Sequence, residues 1–165
     1  MLMAAAMESP TAEARARSDA SRIVHVEILH DMHAAEPVWR GFETEMLTPY
    51  QRFDFLAQWQ MHVGAREGLQ PCIVIAYDKD RQPLLLLPLA SGQENGVRVA
   101  RFMGGKHVTF NMALLRRDFA AAATSADLEA LLQAIREHPA HIDILAFTRQ
   151  PERWRDQPNP MAVLP

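Results

Sequence analysis

The sequence predicts an α+β domain with a mixed, mainly antiparallel sheet flanked by helices. Three observations lead there. The apolar runs 72–77 and 84–89 are joined by the polar, turn-favouring Asp78-Lys79-Asp80-Arg81-Gln82, the pattern of an antiparallel hairpin. Apolar residues recur at helical spacing within 37–46, 54–64 and 127–137. The last of these helices precedes a final apolar run, so it can carry the chain across the sheet to a closing strand. At 165 residues, 48% of them apolar and 22% charged, the chain is long and hydrophobic enough for one domain with a real core.

Residues 1–21 show neither apolar periodicity nor turn chemistry and are expected to be a flexible tail. The domain is expected over 22–150. It opens with a strand at 23–29, where Val24, Val26 and Ile28 alternate with polar His25 and Glu27. A helix follows, with Pro37 suited to a first turn and Val38, Trp39, Phe42 and Met46 on one face; Thr48-Pro49 ends it. Asp54 is the expected N-cap of a second helix carrying Leu56, Trp59 and Val63, with Gly64 as its stop. The hairpin comes next, and Pro88 in its second arm demands an edge or a bulge because proline cannot donate to the ladder. After a polar turn at 91–96, a strand at 97–102 runs into Gly104-Gly105, and 110–115 is apolar enough for one more. A helix over 127–137 has Thr124 or Ser125 as cap, and a strand at 142–147 completes the order β-α-α-β-β-β-(β)-α-β. Residues 151–165, rich in Pro, Arg, Asn and Gln, are expected to be an irregular tail.

Composition removes several function classes. The formal net charge is −3, without the basic excess that counterion release rewards, so nucleic acid is not an expected partner. No apolar run approaches the length of a membrane span, and residues 2–7 are too short, with no preceding charge, for a secretory signal; a cytoplasmic location is expected. A single cysteine, Cys72, excludes an internal disulfide and any multi-cysteine zinc site, and its apolar setting predicts a buried, inert thiol.

Motif tests fail for the common chemistries. Gly105-Lys106 invites comparison with a phosphate loop, but the pattern needs Gly at 100 and Ser or Thr at 107, where Ala100 and His107 stand. His30 and His33 lack a third ligand at a recognisable spacing, so no metal is expected. No Ser lies in a Gly-x-Ser-x-Gly turn, and Trp39 and Trp59 fall on apolar helix faces as core residues. One segment differs. Gly104 and Gly105 permit unusual backbone angles beside Lys106, His107 and Asn111, gathering a cation, an imidazole and an amide on one turn as a candidate substrate-binding group. Its bland counterpart is a strand connection with solvated side chains, Asn111 capping the turn through its own backbone.

Thr48-Pro49-Tyr50-Gln51 before Phe55-Leu56-Ala57-Gln58-Trp59, then Pro71-Cys72-Ile73-Val74-Ile75, Leu84-Leu85-Leu86-Leu87-Pro88-Leu89, Gly104-Gly105-Lys106-His107 with Phe110-Asn111, and Pro158-Asn159-Pro160 follow one another in an order that resembles a bacterial GNAT-superfamily acyltransferase group labelled CelD-like, after cellulose biosynthesis. The resemblance covers about residues 22–160. Relatives carry acidic residues around the asparagine; here Val108, Thr109, Phe110 and Met112 surround Asn111, so that carboxylate role has no counterpart. The resemblance implies a two-part protein similar to the Fem-type transferases, of which this chain is the amino-terminal half. It implies acetyl-CoA or another acyl-CoA as cosubstrate, a small-molecule or polysaccharide-precursor amine acceptor, and a second GNAT-like half or self-association as partner. In that superfamily splayed strands hold pantetheine, and a Gln/Arg-x-x-Gly-x-Gly/Ala loop at a helix start binds the pyrophosphate. Residues 93–98 and 101–106 each miss that pattern at its last position, so tight acyl-CoA binding to this chain alone is not expected. Three functions follow as alternatives: the leading half of an N-acyltransferase, a non-catalytic binding module, or an independent dimeric acyltransferase.

Overall fold

The computed structural model describes residues 20–45 and 48–163, so nearly all of the expected flexible tail at 1–21 lies outside the described residues. The chain runs β1 (His25–Leu29), α1 (Met32–Phe42), a 3-10 turn (Pro49–Gln51), α2 (Phe53–Trp59), β2 (Gln70–Tyr77), β3 (Pro83–Glu94), β4 (Val97–Phe102), a 3-10 turn (Gly105–His107), β5 (Leu114–Leu115), α3 (Arg117–Ala122), α4 (Ser125–Glu137), β6 (Ile144–Ala146), and a small hairpin of β7 (Arg153–Trp154) and β8 (Gln157–Pro158). The main sheet has the order β1-β2-β3-β4-β6, with β5 alongside β3. Every pairing in it is antiparallel except β4 with β6, which α3 and α4 connect.

The layering follows from strands that are apolar on both faces. Cys72, Val74, Ala76, Leu85, Leu87 and Leu89 pack beneath α3 and α4, meeting Phe119, Leu128, Leu131 and Ile135. On the opposite face Ile73, Ile75, Leu86 and Leu114 meet Trp39 and Phe42 of α1 and Phe53, Leu56 and Trp59 of α2. Cys72 is fully buried, and that burial pushes its thiol up to about 11, leaving it protonated and inert at neutral pH.

Pro88 sits neither on an outer edge nor in a bulge. Strand β3 is central, paired with β2 along its length, while its other side meets β5 at Leu85 and Leu86 and β4 from Leu89 onward. Proline falls in the notch between those two short partners, and its carbonyl on that side accepts from Met103 N at 2.9 Å. A missing N–H is harmless where no neighbour needs it.

Other expectations shift. Helix α1 begins earlier, capped by Asp31, whose carboxylate accepts from His33 N at 2.8 Å, so Pro37 lies inside the helix rather than in its first turn. Asp54 does not cap α2; it stands in the first turn and takes Arg40 Nη2 at 2.7 Å. Gly64 does not stop the helix. The chain continues through a π turn (Gln60–Gly64) and a 3-10 turn (Ala65–Glu67) to Gly68, whose φ of 75° ends it. A Cβ at Gly64 would lie 2.5 Å from Gln60 Oε1, so glycine serves close packing there. Strand β3 extends to Glu94, and the turn at 91–96 shrinks to Asn95 and Gly96, both at positive φ. The strand expected at 110–115 keeps only Leu114 and Leu115, and α3 adds a helix the spacing did not announce. Residues 151–163 are not an irregular tail: they form the β7–β8 hairpin and a 3-10 turn (Pro160–Val163), burying Gln157, Asn159 and Met161.

Candidate functional site

The candidate site is built on the connection from β4 to β5. Gly104 and Gly105 take φ of 100° and 52°, and His107 N closes the turn on Gly104 O at 2.9 Å. A Cβ on Gly104 would stand 2.5 Å from Val108 Cγ1. Arg149, beyond β6, braces the turn with a fork: Nη1 donates to Val108 O at 3.0 Å and Nη2 to Gly105 O at 3.1 Å. With its backbone tied inward, the turn leaves Lys106 and His107 exposed to solvent.

His107 is held from below. Trp59 Nε1 donates to His107 Nδ1 at 3.3 Å. That bond requires an unprotonated Nδ1, so the neutral ring carries its hydrogen on Nε2 and presents a donor there. In this arrangement His107 orients rather than abstracts. Beside it Tyr50 Oη and Thr109 Oγ1 share a hydrogen bond of 3.1 Å. The rings of Phe55, Tyr50, Phe110 and Trp154 follow one another at 6.2, 5.6 and 5.2 Å, a continuous aromatic row flanking the polar turn.

Gln51 fixes Tyr50 in that row. Its amide nitrogen donates to Met112 O and Ala113 O at 3.1 and 2.7 Å, its Oε1 accepts from Thr48 N at 2.6 Å, and its carbonyl accepts from Trp39 Nε1 at 2.8 Å. A buried glutamine satisfied at every polar atom locks the 3-10 turn onto the sheet layer.

Gly104, Gly105, Lys106 and His107 therefore come together on one surface turn, while Asn111 stands apart from them. It is only 9% exposed, its backbone N donates to Arg149 O at 3.0 Å, and its Nδ2 donates to Thr148 O at 3.0 Å. The space between it, Tyr50 and Phe102 amounts to about 10 Å³, too little for more than a water. Asn111 braces the loop against the segment that follows β6. Arg149, Trp59, Tyr50 and Thr109 are the participants that pattern reasoning missed. Trp59 reads correctly as a core residue, but only the fold brings its indole nitrogen to a turn 48 positions away.

The parallel β4–β6 pair ends at Arg101 and Ala146. Past it the 104–111 loop, through Asn111, lies against Thr148 and Arg149, and the Phe102 and Phe147 rings meet at 5.5 Å. Neither segment compared with a pyrophosphate loop opens an α-helix: 93–98 spans the β3–β4 hairpin, and 101–106 leads into a 3-10 turn. The two histidines weighed as metal ligands have local partners instead. His30 Nδ1 meets Pro71 O at 2.9 Å, and His33 lies 3.7 Å from Glu36. Among the described residues no three His, Cys, Asp or Glu side chains gather as a metal site would require, and no helix is long and apolar enough to cross a membrane. Comparisons with protein-family models, with curated proteins and with solved structures return no match.

Proposed function

We propose that the chain is the amino-terminal half of a CoA-dependent N-acyltransferase of the GNAT type, giving scaffold and part of the acceptor cleft while a second half binds the acyl-CoA. The observation that carries this reading is the end of the β4–β6 pair. An antiparallel run of strands closes on a parallel one, and where the two part company the opening is occupied by the chain's own Asn111 and Arg149. The sheet agrees with that reading at the level of a mixed, mainly antiparallel α+β layer, and it has no slot for pantetheine and no glycine loop at a helix start for pyrophosphate among the described residues. The residues present do not fit an acyl-CoA, and its binding belongs elsewhere. What this half offers is a braced turn with an exposed ammonium at Lys106, an Nε2–H donor at His107 and an aromatic row beside them, which suits orienting a carboxylate-bearing or sugar-like amine acceptor.

The test joins the chain to whatever reading frame continues past Pro165 and follows thiol release from acetyl-CoA with a panel of amines. Release by the joined protein, with no acetyl-CoA binding by the chain alone in calorimetry, is the expected result. Micromolar binding of acetyl-CoA to the chain alone would overturn the division of labour. A downstream frame without a pyrophosphate loop would overturn the acyltransferase reading itself.

A further inference from the structure

An open groove of about 680 Å³ lies beside the start of α4, a size that takes a small molecule. One wall is helical. Ser125, Leu128, Glu129 and Leu132 stand at i, i+3, i+4 and i+7 of α4 and so share one face, and Ala120 and Ala121 from the end of α3 continue it. Pro158, Asn159 and Pro160 form the other wall together with Glu152. That wall is braced from within: Asn159 N donates to Glu152 O at 2.9 Å, its Nδ2 donates to Pro151 O at 2.9 Å, and its Oδ1 accepts from Met161 N at 3.2 Å.

The polar groups of the lining leave charge of one sign only. Thr124 Oγ1 donates to Asp127 Oδ2 at 3.1 Å, and Asn159 Nδ2 is spent on Gln150 and Pro151, so neither offers a donor to a ligand. No Lys, Arg or His lines the groove among the described residues. Glu129 and Glu152 are both exposed, one on each wall, and neither has a cation within salt-bridge distance among the described residues. An anion would meet two carboxylates and no counter-charge there, and a neutral ligand would leave both unbalanced. A cation with an apolar body answers both features of the lining, the carboxylates and the surface of Leu128, Leu132 and the alanines.

We propose that this groove binds a small organic monocation, an ammonium on an aliphatic or aromatic body, with the body against Leu128, Leu132 and Ala121 and the charge toward Glu129 and Glu152. It is a second site, distinct from the glycine turn: the groove belongs to the α3–α4 face, whereas Trp59, which holds His107, packs in the opposite layer. The groove's own lining carries the assignment, so it stands or falls apart from the acyltransferase reading.

The test is a titration of the full chain carrying ¹³C-labelled leucine methyl groups, with Leu128→Ile and Leu132→Ile to assign the two groove signals. Ethyl-, butyl- and hexylammonium lengthen the body at constant charge; hexanol and hexanoate, at fixed ionic strength, keep the body and change the head. Hexylammonium should move the Leu128 and Leu132 signals saturably while those of Leu86 and Leu114, on the opposite face, stay put. Each added methylene should tighten binding about two- to fourfold, and hexanoate should bind more weakly than hexanol. Glu129→Gln and Glu152→Gln should each weaken hexylammonium about two- to fivefold without affecting hexanol, and the double variant should bind the two alike; both side chains are exposed, so Tm should hardly change. No saturable shift with hexylammonium overturns the proposal, as does hexanoate binding as tightly, or a double variant that keeps the parent's affinity. Ethylammonium binding as tightly as hexylammonium would do the same by showing that the apolar walls take no part. Shifts of the two groove signals with protein concentration alone would give the groove to a second copy of the chain and likewise overturn the assignment.

Discussion

Asp127 shows how one carboxylate can organise distant parts of a chain. It is fully buried at the start of α4, accepting from Thr124 N and Arg22 N at 3.0 and 2.6 Å and from the hydroxyls of Ser21 and Thr124. Burial alone would push its carboxyl up, but those N–H bonds and the Arg22 guanidinium outweigh it and hold it below the usual carboxylate range. A depressed carboxylate stabilises the fold above its unfolded value and loses that contribution as pH falls through the folded one. Asp127→Asn should therefore cost about 2–4 kcal/mol at neutral pH, with the gap to the parent protein narrowing below about pH 4 in urea unfolding. Asn111 and His107 should separate in the same assay. Removing the buried amide in Asn111→Ala leaves Thr148 O unpaired and should cost about 1–3 kcal/mol. His107→Ala at the exposed turn should cost less, and equal losses for both would contradict the distinction drawn between brace and surface group.

Among the elements, the glycine turn is the one whose geometry admits least change. Gly104→Ala would place a Cβ 2.5 Å from Val108 at a φ of 100°, so we expect a loss of about 2–3 kcal/mol in thermal unfolding; Gly41→Ala, whose Cβ meets nothing within 4 Å, is the matched control. Three of the helices and the long strands were legible because their signals are local: a continuous apolar run marks β2, helical spacing marks α4, and Thr124, which caps α4, was one of the two cap residues its start offered. What escaped was set by partners far along the chain. Pro88 is tolerated only because β4 and β5 leave a notch beside it, and the 151–163 segment is tied to the sheet layer from afar, Gln157 reaching Leu115 O. Gly104 and Gly105 announced a turn, but nothing in the 104–111 run says that Arg149 will clamp it or that Asn111 will face inward.

At the scale of the whole molecule, β6 is one of the two edges of the sheet, β1 being the other. It pairs with β4 alone among the described residues, and Ile144 on it is 47% exposed. An open strand edge with an apolar side chain invites another strand. The two-half reading then predicts self-association of the isolated chain as its concentration rises, and Ile144→Lys should return it to monomer in sedimentation velocity with Tm little changed; a monomer at all concentrations would count against that reading. The hydrogen bond from Arg22 N to Asp127 has a different consequence, in time rather than in space. It joins residues 105 positions apart, so the first residues of the fold have no anchor on α4 until most of the chain exists. At translation rates of about 5–20 residues per second, a nascent β1 waits about 5–20 s for that anchor. Until then pairing with β2 can hold it. In native-state hydrogen exchange the amides of Val26 and Ile28, on an edge strand anchored late in synthesis, should open at lower free energy than those of Val74 and Leu87 on the central strands.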